Sequence, residues 1–470
     1  MCAVFPVDVL RHARYCSHMN VLSIPPVIRR FARYFTDAGF SLYIVGGAVR
    51  DHLLGLKSED YDFTTDALPD QVMQLFKHVI PTGIEHGTVT VHFEKQSFEV
   101  TTFRSEADYI DGRHPSSVTF IPSLEEDLKR RDFTINAFAA DCRDGRIIDL
   151  HDGKKDLKNK TIRAIGDPRQ RFAEDALRIL RAARIAAKLN FSIEMQTLSA
   201  MGMLKENLSK VSAERIRDEL FKLVLSDHPA AGLSYLKEQG ILTVILPEFK
   251  ACDGLFQGGM HHEDVLSHSI SACQASAAFA STLEVRLAAL LHDIGKCEVV
   301  VPTEDRNTFK GHELVGEMIT QSLLKRLKAS NNLIKDVSHL VRHHMFDYQS
   351  NWSDSAVRRF IARIGLQYIP QLLQLRIADQ IAIHGKANTV LLDELHHRIE
   401  AIIEEHDALS IKDLAVNGND LLDLGIPKGE KIGATLAYLL ETVLDDPGQN
   451  NREQLLDLAE KYQSLAVFTN

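Results

Sequence analysis

Residues 40–45, FSLYIV, form a short apolar run that ends at Gly46-Gly47. A run of that length is strand-sized, and a double glycine turns the chain sharply. The next segment, AVRDHLLG, reads as one or two helical turns closed by Gly55. VTVHF (89–93) and FEVTTF (98–103) alternate in polarity, with residues 94–97 between them, and predict a hairpin. After Asp167 the strand signal fades. RFAEDALRILRAARIAAKL and AERIRDELFKLVLS space their apolar residues as helices do. His-rich helical segments follow between His261 and His397. The stretch after Leu409 is also helical in pattern, with turns at Asn417-Gly418 and Pro447-Gly448. The expected fold class is α+β: a head with a small mixed sheet, then an all-α remainder.

At roughly 100–200 residues per domain, 470 residues predict three or four domains. The pattern divides the chain into an N-terminal extension (1–22), a head (23–166), a helical neck (167–250), a His-rich helical domain (251–400) and a helical C-terminal region (401–470). The net charge of −10 excludes a basic nucleic-acid packaging protein but leaves room for a local basic cleft. KDLKNKTIR (155–163) and VRRFIAR (357–363) are candidate basic patches, with solvated faces as the alternative. No run approaches the ~18 apolar residues of a membrane span, so no membrane role is expected. Six scattered cysteines form no CxxC pair, which predicts neither a disulfide framework nor a zinc ribbon and fits a cytoplasmic setting. The sequence is silent on oligomeric state.

The head carries the first chemistry. Gly46 and Gly47 let backbone approach a ligand, and the helix they open offers free N–H groups to a phosphate. Arg50 adds a charged fork one turn later. Asp60 and Asp62 form an Asp-Tyr-Asp, and on a strand residues i and i+2 point to one side. Paired carboxylates that share a face call for a cation between them, and Mg²⁺ accepts such ligands together with substrate phosphates. The combination points to metal-assisted phosphoryl chemistry.

These residues resemble the polymerase-β-like nucleotidyltransferase superfamily, and within it class II tRNA nucleotidyltransferases (CCA-adding enzymes) and bacterial poly(A) polymerases. Five motifs carry the resemblance. The first is Gly46, Gly47, Arg50, Asp51, Asp60 and Asp62. The second, RRDFTINA, runs from Arg130 to Ala137, with Arg131 suited to a triphosphate by its planar fork. Asp132 and Asn136 position that loop, which precedes an expected helix. A surface ion pair of the two arginines with Glu125, Glu126 or Asp127 is the alternative. The third motif is Asp149 to Gly153 leading to Asp156-Leu157. The fourth is Glu174, Asp175, Arg178 and Arg181, with Arg184 one turn further, and the fifth is AERIRDEL.

Asp175 and Arg178 are three apart and are expected to share a helix face. Cytosine and adenine both set an exocyclic amino group beside a ring-nitrogen acceptor. Asp175 would accept from the amino group and Arg178 donate to the ring. Uracil and guanine present a carbonyl there, and both contacts would fail. The resemblance implies this pair as a protein template for CTP and ATP. It further implies Mg²⁺ at Asp60 and Asp62, with Glu99 open between a third ligand and a solvated strand residue. Gly46, Gly47, Arg50, Arg131, Arg181 and Arg184 complete the implied nucleotide site, and Arg104 is placed to reach the phosphates. Residues 105–129 resemble the mobile loop that CC-adding enzymes lack, which favours addition of the terminal A.

The second constellation is His268, His292-Asp293, His312, His343-His344 and Asp379. It resembles the HD domain, a helical metal-dependent phosphohydrolase fold. The resemblance implies a divalent metal on His268, His292, Asp293 and Asp379, with His312 and His343 as a second position. Hydrolysis and a role as RNA-binding scaffold are both open at this point. The implied activity of the whole is addition of CCA to tRNA 3′ ends from CTP and ATP. A poly(A) polymerase, or a partial CC-adding or A-adding enzyme, is the alternative.

Overall fold

The computed structural model describes residues 20–58, 60–106, 118–258, 261–303, 307–405 and 407–467. The chain divides into two compact units, residues 1–250 and 251–470, fewer than length alone predicts. One reason lies in the first unit. The end of the head is stitched to the neck by a parallel pairing of Thr161–Ile162 with Ser192–Ile193 and by side-chain bonds described below.

The first unit is built on a seven-stranded mixed sheet. Its strands are β1 (Leu42–Val45), β2 (Asp62–Thr65), β3 (Val79–Gly83), β4 (Thr88–Phe93), β5 (Gln96–Thr102), β8 (Phe138–Asp141) and β9 (Ile147–Asp149), in the order β3-β4-β5-β2-β1-β8-β9. The short strands β6 (Arg104–Glu106) and β7 (Val118–Phe120) pair separately. Only β2 and β5 run parallel in the large sheet; its other pairings are antiparallel. The predicted hairpin is β4–β5, closed more tightly than expected. Phe93 pairs with Gln96, and Glu94 and Lys95 take positive φ values of 48° and 65°, as a two-residue primed turn requires.

Helix α1 (Pro26–Asp37) covers one face of this sheet with Phe31 and Phe35. Phe31 is fully buried against Phe63, Phe76, Phe93 and Phe98, at ring-centroid distances of 4.8–5.5 Å. Each buried aromatic contributes about 1.5–3 kcal/mol, and together they fix the strand register. Phe63 points into this core, so its neighbour Asp62 must leave the opposite face. Phe98 and Val100 are buried on either side of exposed Glu99 in the same way. The apolar pattern of β2 and β5 therefore aims both carboxylates out of the core.

Helix α2 (Gly47–Leu53) follows β1 directly, as the double glycine predicts. Asp62 opens β2, whereas Asp60 lies two residues outside the strand and is exposed. Of the loop expected over 105–129, residues 107–117 lie outside the described residues; β7 and a helix over Leu124–Lys129 occupy part of the rest. The neck contributes α3 (Pro168–Glu174), α4 (Leu177–Leu189) and α5 (Ala213–Val224).

The second unit is helical apart from short two-stranded pairings. Helices α6 (Val265–Ala277), α7 (Leu283–Leu291), α8 (His312–Arg326), α9 (Asn331–His343) and α10 (Ile369–His384) pack together. A separate apolar core joins Leu421, Leu439, Val443, Leu455 and Ala459. Cys252 and Cys297 form a disulfide with Cα atoms 5.4 Å apart, contrary to the expectation from spacing. The two cysteines are 45 residues apart, and only the fold brings them together. The patch expected over 357–363 does not form as such. Arg358 is buried on the Leu444 carbonyl and Asp407, and Arg359 pairs with Glu441 and Asp445. Among the described residues, no helix is long and apolar enough to cross a membrane.

Candidate active site

A cleft of about 830 Å³ opens in the first unit. Its walls include Gly46, Gly47, Arg50, Asp62, Glu99, Arg131, Asp175, Arg178, Arg181 and Arg184. All the head and neck residues expected to hold the metal or the nucleotide, apart from one, thus share one cavity. Asp60 is the exception and is not part of the wall.

The floor is the double glycine. Gly46 has φ +73° and ψ −132°, a conformation that side chains resist. A Cβ at Gly46 would lie 3.7 Å from Arg131 Nη1, and one at Gly47 would lie 3.5 Å from Arg50 Nη2. Two guanidinium groups therefore sit over two bare backbone units at the start of α2. Arg50 is held in place by Asp51 Oδ1 (Nε, 2.8 Å) and by Asn136 Oδ1 (Nη1, 2.6 Å).

Arg130 and Arg131 follow the helix Leu124–Lys129 and precede a 3₁₀ turn at Thr134–Asn136, rather than opening an α-helix. Their partner is Asp127, which is fully buried and not on the surface. It takes Arg130 Nη2 at 2.7 Å and Arg131 Nη2 at 3.4 Å. Burial alone would raise the Asp127 carboxyl, but the two guanidiniums hold it below the usual range. Burial pulls the Arg131 guanidinium below its ordinary value, against Asp127. Its Nε is buried without a hydrogen-bond partner among the described residues. A buried donor of this kind fits an anionic ligand.

Asp62 and Glu99 are register partners across β2 and β5. Burial raises the Asp62 carboxyl, and the charges of Asp60 and Glu99 raise it further, against Arg131 and Arg181. Two carboxylates thus bear on Asp62, and a divalent cation would relieve that repulsion. The donor set is all oxygen, as a hard cation requires.

The segment expected to read the base departs from the expected geometry. Asp175 and Arg178 do not share a helix. The chain leaves α3 at Asp175, which is extended (φ −141°, ψ 105°), and α4 begins at Leu177. The cause is local, because Asp175 Oδ1 accepts the Leu177 N–H at 3.0 Å and competes with helix continuation. Asp175 Oδ2 accepts from Arg215 Nη2 at 2.7 Å. Arg178 Nη1 reaches Glu174 at 2.6 Å and the Arg171 carbonyl at 3.0 Å, while Nη2 reaches the Arg130 carbonyl at 3.0 Å. Arg181 grips Asp132 Oδ2 through Nε (2.8 Å) and Nη2 (2.6 Å), and Arg184 Nε reaches Glu219 at 2.6 Å. Arg178 and Arg181 thereby tie the neck to the Arg130–Asp132 segment of the head, while Arg184 and Glu219 join two neck helices.

The second unit holds a buried cluster. His268 Nε2 lies 3.2 Å from His292 Nε2 and 3.1 Å from Asp379 Oδ1. Asp293 sets Oδ2 3.2 Å from His292 Nε2, and Oδ1 3.4 Å from His312 and 3.8 Å from His344. The sequence pointed to His343 for the second position, and the structure places His344 there. His343 packs on His339 instead, with ring centroids 4.5 Å apart. Val337, Leu340 and Val341 form the buried stripe of α9, and the same spacing leads to His344. Lys296 Nζ also reaches Asp293 Oδ2 (2.6 Å) and Gln257 (2.5 Å). Sequence reasoning passed over Lys296, although it completes HDIGK. It also passed over Arg215, although AERIRDEL contains it.

A glycine turn, paired carboxylates and a wall of arginines around one cleft define a nucleotidyltransferase. Residues 42–163 match the family profile described as "Poly A polymerase head domain". Residues 190–253 match "Probable RNA and SrmB- binding site of polymerase A", and 314–459 match "tRNA nucleotidyltransferase domain 2". A CCA-adding enzyme of Enterococcus faecalis is 35% identical over 459 residues, covering 95% of this chain and 99% of the relative. One from Levilactobacillus brevis is 37% identical, covering 89% and 94%. The crystal structure of the Bacillus stearothermophilus CCA-adding enzyme in complex with CTP superposes with a TM-score of 0.73 at 27% identity, covering 95% and 100%. The chain belongs to the family of CCA-adding enzymes.

Proposed function

We propose that this protein adds C, C and A in turn to tRNA 3′ ends, taking CTP and ATP and releasing pyrophosphate. The names of its relatives support the activity, and the convergence of Gly46, Asp62, Arg131, Asp175 and Arg178 on one cleft carries it. Residues 23–166 serve as the nucleotidyltransferase head, and 167–250 serve as the neck that reads the base and grips RNA. Residues 251–470 follow as the His-rich HD-like domain and the C-terminal helices. Gly46, Gly47, Arg50 and Arg131 hold the triphosphate, with Arg181 and Arg184 behind them. Asp175 accepts from the base amino group and Arg178 donates to the ring nitrogen. Asp60 and Asp62, with Glu99, would hold a divalent ion, magnesium being the hard cation their oxygens suit. When bound, such an ion supplies Lewis-acid stabilisation of the reacting oxygens. The RNA 3′-hydroxyl oxygen bonds to the α-phosphorus, and the bond to the β-phosphate breaks in line.

The test uses tRNA transcripts that end at the discriminator base, after C, or after CC. Each is offered labelled CTP, ATP, UTP or GTP, with an unrelated RNA as control. Ordered C, C, A addition that then stops is the expected result. Long A tails on any RNA would instead mark a poly(A) polymerase.

The second unit supports a separate reading as a divalent-metal centre of the HD type, which His268, His292, Asp293 and Asp379, and His312 and His344 beside Asp293, would hold. Its carrying observation is the hydrogen bonding of three imidazoles. His292, His312 and His344 each turn Nδ1 to the carbonyl three residues back, at 2.9, 2.8 and 2.7 Å. Donation from Nδ1 turns each Nε2 towards the cluster, the atom that a metal would take in place of a proton. Burial holds His344 down to about 3, hence neutral. Against burial, Asp293 and Asp379 push His292 up to about 10, so without metal its imidazole holds a proton that a bound cation would displace. The bound ions would supply an activated water for phosphodiester hydrolysis. Protein that carries no metal and releases nothing from 2′,3′-cyclic nucleotides under several divalent ions would end this reading.

A further inference from the structure

The Asp175–Arg215 contact joins two motifs that are 40 residues apart. Asp175 lies outside both helices of its own segment, so the segment fixes its side chain only through the Leu177 N–H on Oδ1. Arg215, in the first turn of α5, holds the other oxygen. One turn further along α5, buried Glu219 takes Arg184 of α4. Arg215 and Glu219 are four apart and share a helix face. Two ion pairs of opposite sense therefore lace α5 to the reading segment. Arg215 also lines the cleft, and its Nη1 is buried without a hydrogen-bond partner among the described residues.

We infer that Arg215 is a positioning residue for base selection, locking the plane of the Asp175 carboxylate so that its free lone pairs meet an amino group and reject a carbonyl. The inference rests on the proposed reading of Asp175 as the base's acceptor. A carboxylate with one oxygen on a backbone N–H and the other on a guanidinium cannot turn without breaking a bond. Arg215 only donates, so the oxygen that it holds stays an acceptor. Cytosine and adenine offer an amino hydrogen to such a group, whereas uracil and guanine set an oxygen against it. Released from Arg215, the carboxylate swings away from that oxygen and the mismatch is tolerated. Arg215 thus acts through Asp175, and its loss falls on discrimination more than on turnover of the correct nucleotide.

The experiment uses the full chain as Arg215→Gln, Arg215→Lys, Asp175→Ala and the Asp175→Ala/Arg215→Gln double variant. For each, kcat and KM are measured with all four nucleotides on tRNA transcripts, and melting is followed alongside. Arg215→Gln is expected to cut the CTP over UTP ratio of kcat/KM by about tenfold or more. Arg215→Lys, a point charge without the planar fork, should retain part of that ratio. The double variant should be no less selective than Asp175→Ala alone, because both changes remove one device. An unchanged ratio in Arg215→Gln beside a collapsed one in Asp175→Ala overturns the positioning role and leaves base reading intact. An unchanged ratio in Asp175→Ala overturns both. Should Arg215→Gln fail to fold, a wild-type ratio in Arg215→Lys overturns the inference equally.

Discussion

Asp62 and Glu99 stand opposite one another in the parallel pair β2/β5, and both line the nucleotide-sized cleft. The register puts them on one face because Phe63, Phe98 and Val100 are buried on the other. Asp62→Asn should therefore lower CTP incorporation by about 10³-fold, the loss of several kcal/mol of transition-state stabilisation. Glu99→Gln should cost less, about 10- to 100-fold, with the loss eased by raising the divalent ion concentration. Single-turnover rates against metal concentration check both. A Glu99→Gln rate within about twofold of wild type would place Glu99 on the solvated side of its alternatives.

Arg181 holds the buried Asp132 carboxyl, and the direction of its shift fixes a pH dependence. Burial alone would raise Asp132, but Arg181 holds it below the ordinary value of 3.8. A lowered folded-state value means that the unfolded chain takes up the proton first. The stabilisation is thus complete above 3.8 and is lost as pH falls through the lower folded value. Asp132→Asn should be less stable near neutral pH by roughly 1–3 kcal/mol, since Arg181 loses its paired charge. Its stability should also fall less steeply in acid. Urea titrations from about pH 6 down to about pH 3 measure both effects; parallel acid limbs in the two proteins would refute the assignment.

Asp293 faces two histidine sets with different oxygens, so the metal content of variants should separate them. Wild-type protein should bind about two equivalents of a divalent transition ion, and Asp293→Asn almost none. His344→Ala should retain about one equivalent, because His268, His292 and Asp379 remain. His343→Ala should keep both, since its ring packs on His339 outside the cluster. Elemental analysis after dialysis decides this. Loss of both ions in His344→Ala, or of one in His343→Ala, would contradict the arrangement.

The parts of the site whose geometry follows from strand period or turn chemistry were legible in the sequence. Gly46 to Arg50 and the apolar alternation of β5 dictate their own geometry, because strand period and turn chemistry are local, whereas Asp60 does not share the strand with Asp62 that their spacing suggested. What burial or a break in the helix decides was not legible, even between residues two to four apart. Asp127 as the buried anchor of Arg130 and Arg131 looked like one of three equivalent surface acids. The break at Asp175 was hidden because EDALRILR has continuous helical periodicity, and an acceptor carboxylate diverted the backbone. The choice between His343 and His344 was written in the Val337–Leu340–Val341 spacing. The Cys252–Cys297 bond had no local signal at all.

Gly46 and Gly47 look interchangeable in sequence but differ in backbone, which separates stability from binding. Gly46 holds φ +73°, so Gly46→Ala should destabilise the head by about 1–3 kcal/mol. Gly47 opens α2 without positive φ, and a Cβ there meets Arg50 Nη2 at an ordinary 3.5 Å. Gly47→Ala should therefore leave stability within about 0.5 kcal/mol of wild type. Its effect should fall on ligand approach, because the added methyl stands between backbone N–H and phosphate beneath the Arg50 fork. The expected signature is a raised KM for both CTP and ATP by about tenfold, with the CTP over UTP ratio preserved. Thermal melting and nucleotide titration of the two variants test the contrast. Equal melting temperatures would show that the turn tolerates a side chain at Gly46, and an unchanged KM in Gly47→Ala would remove the phosphates from this floor.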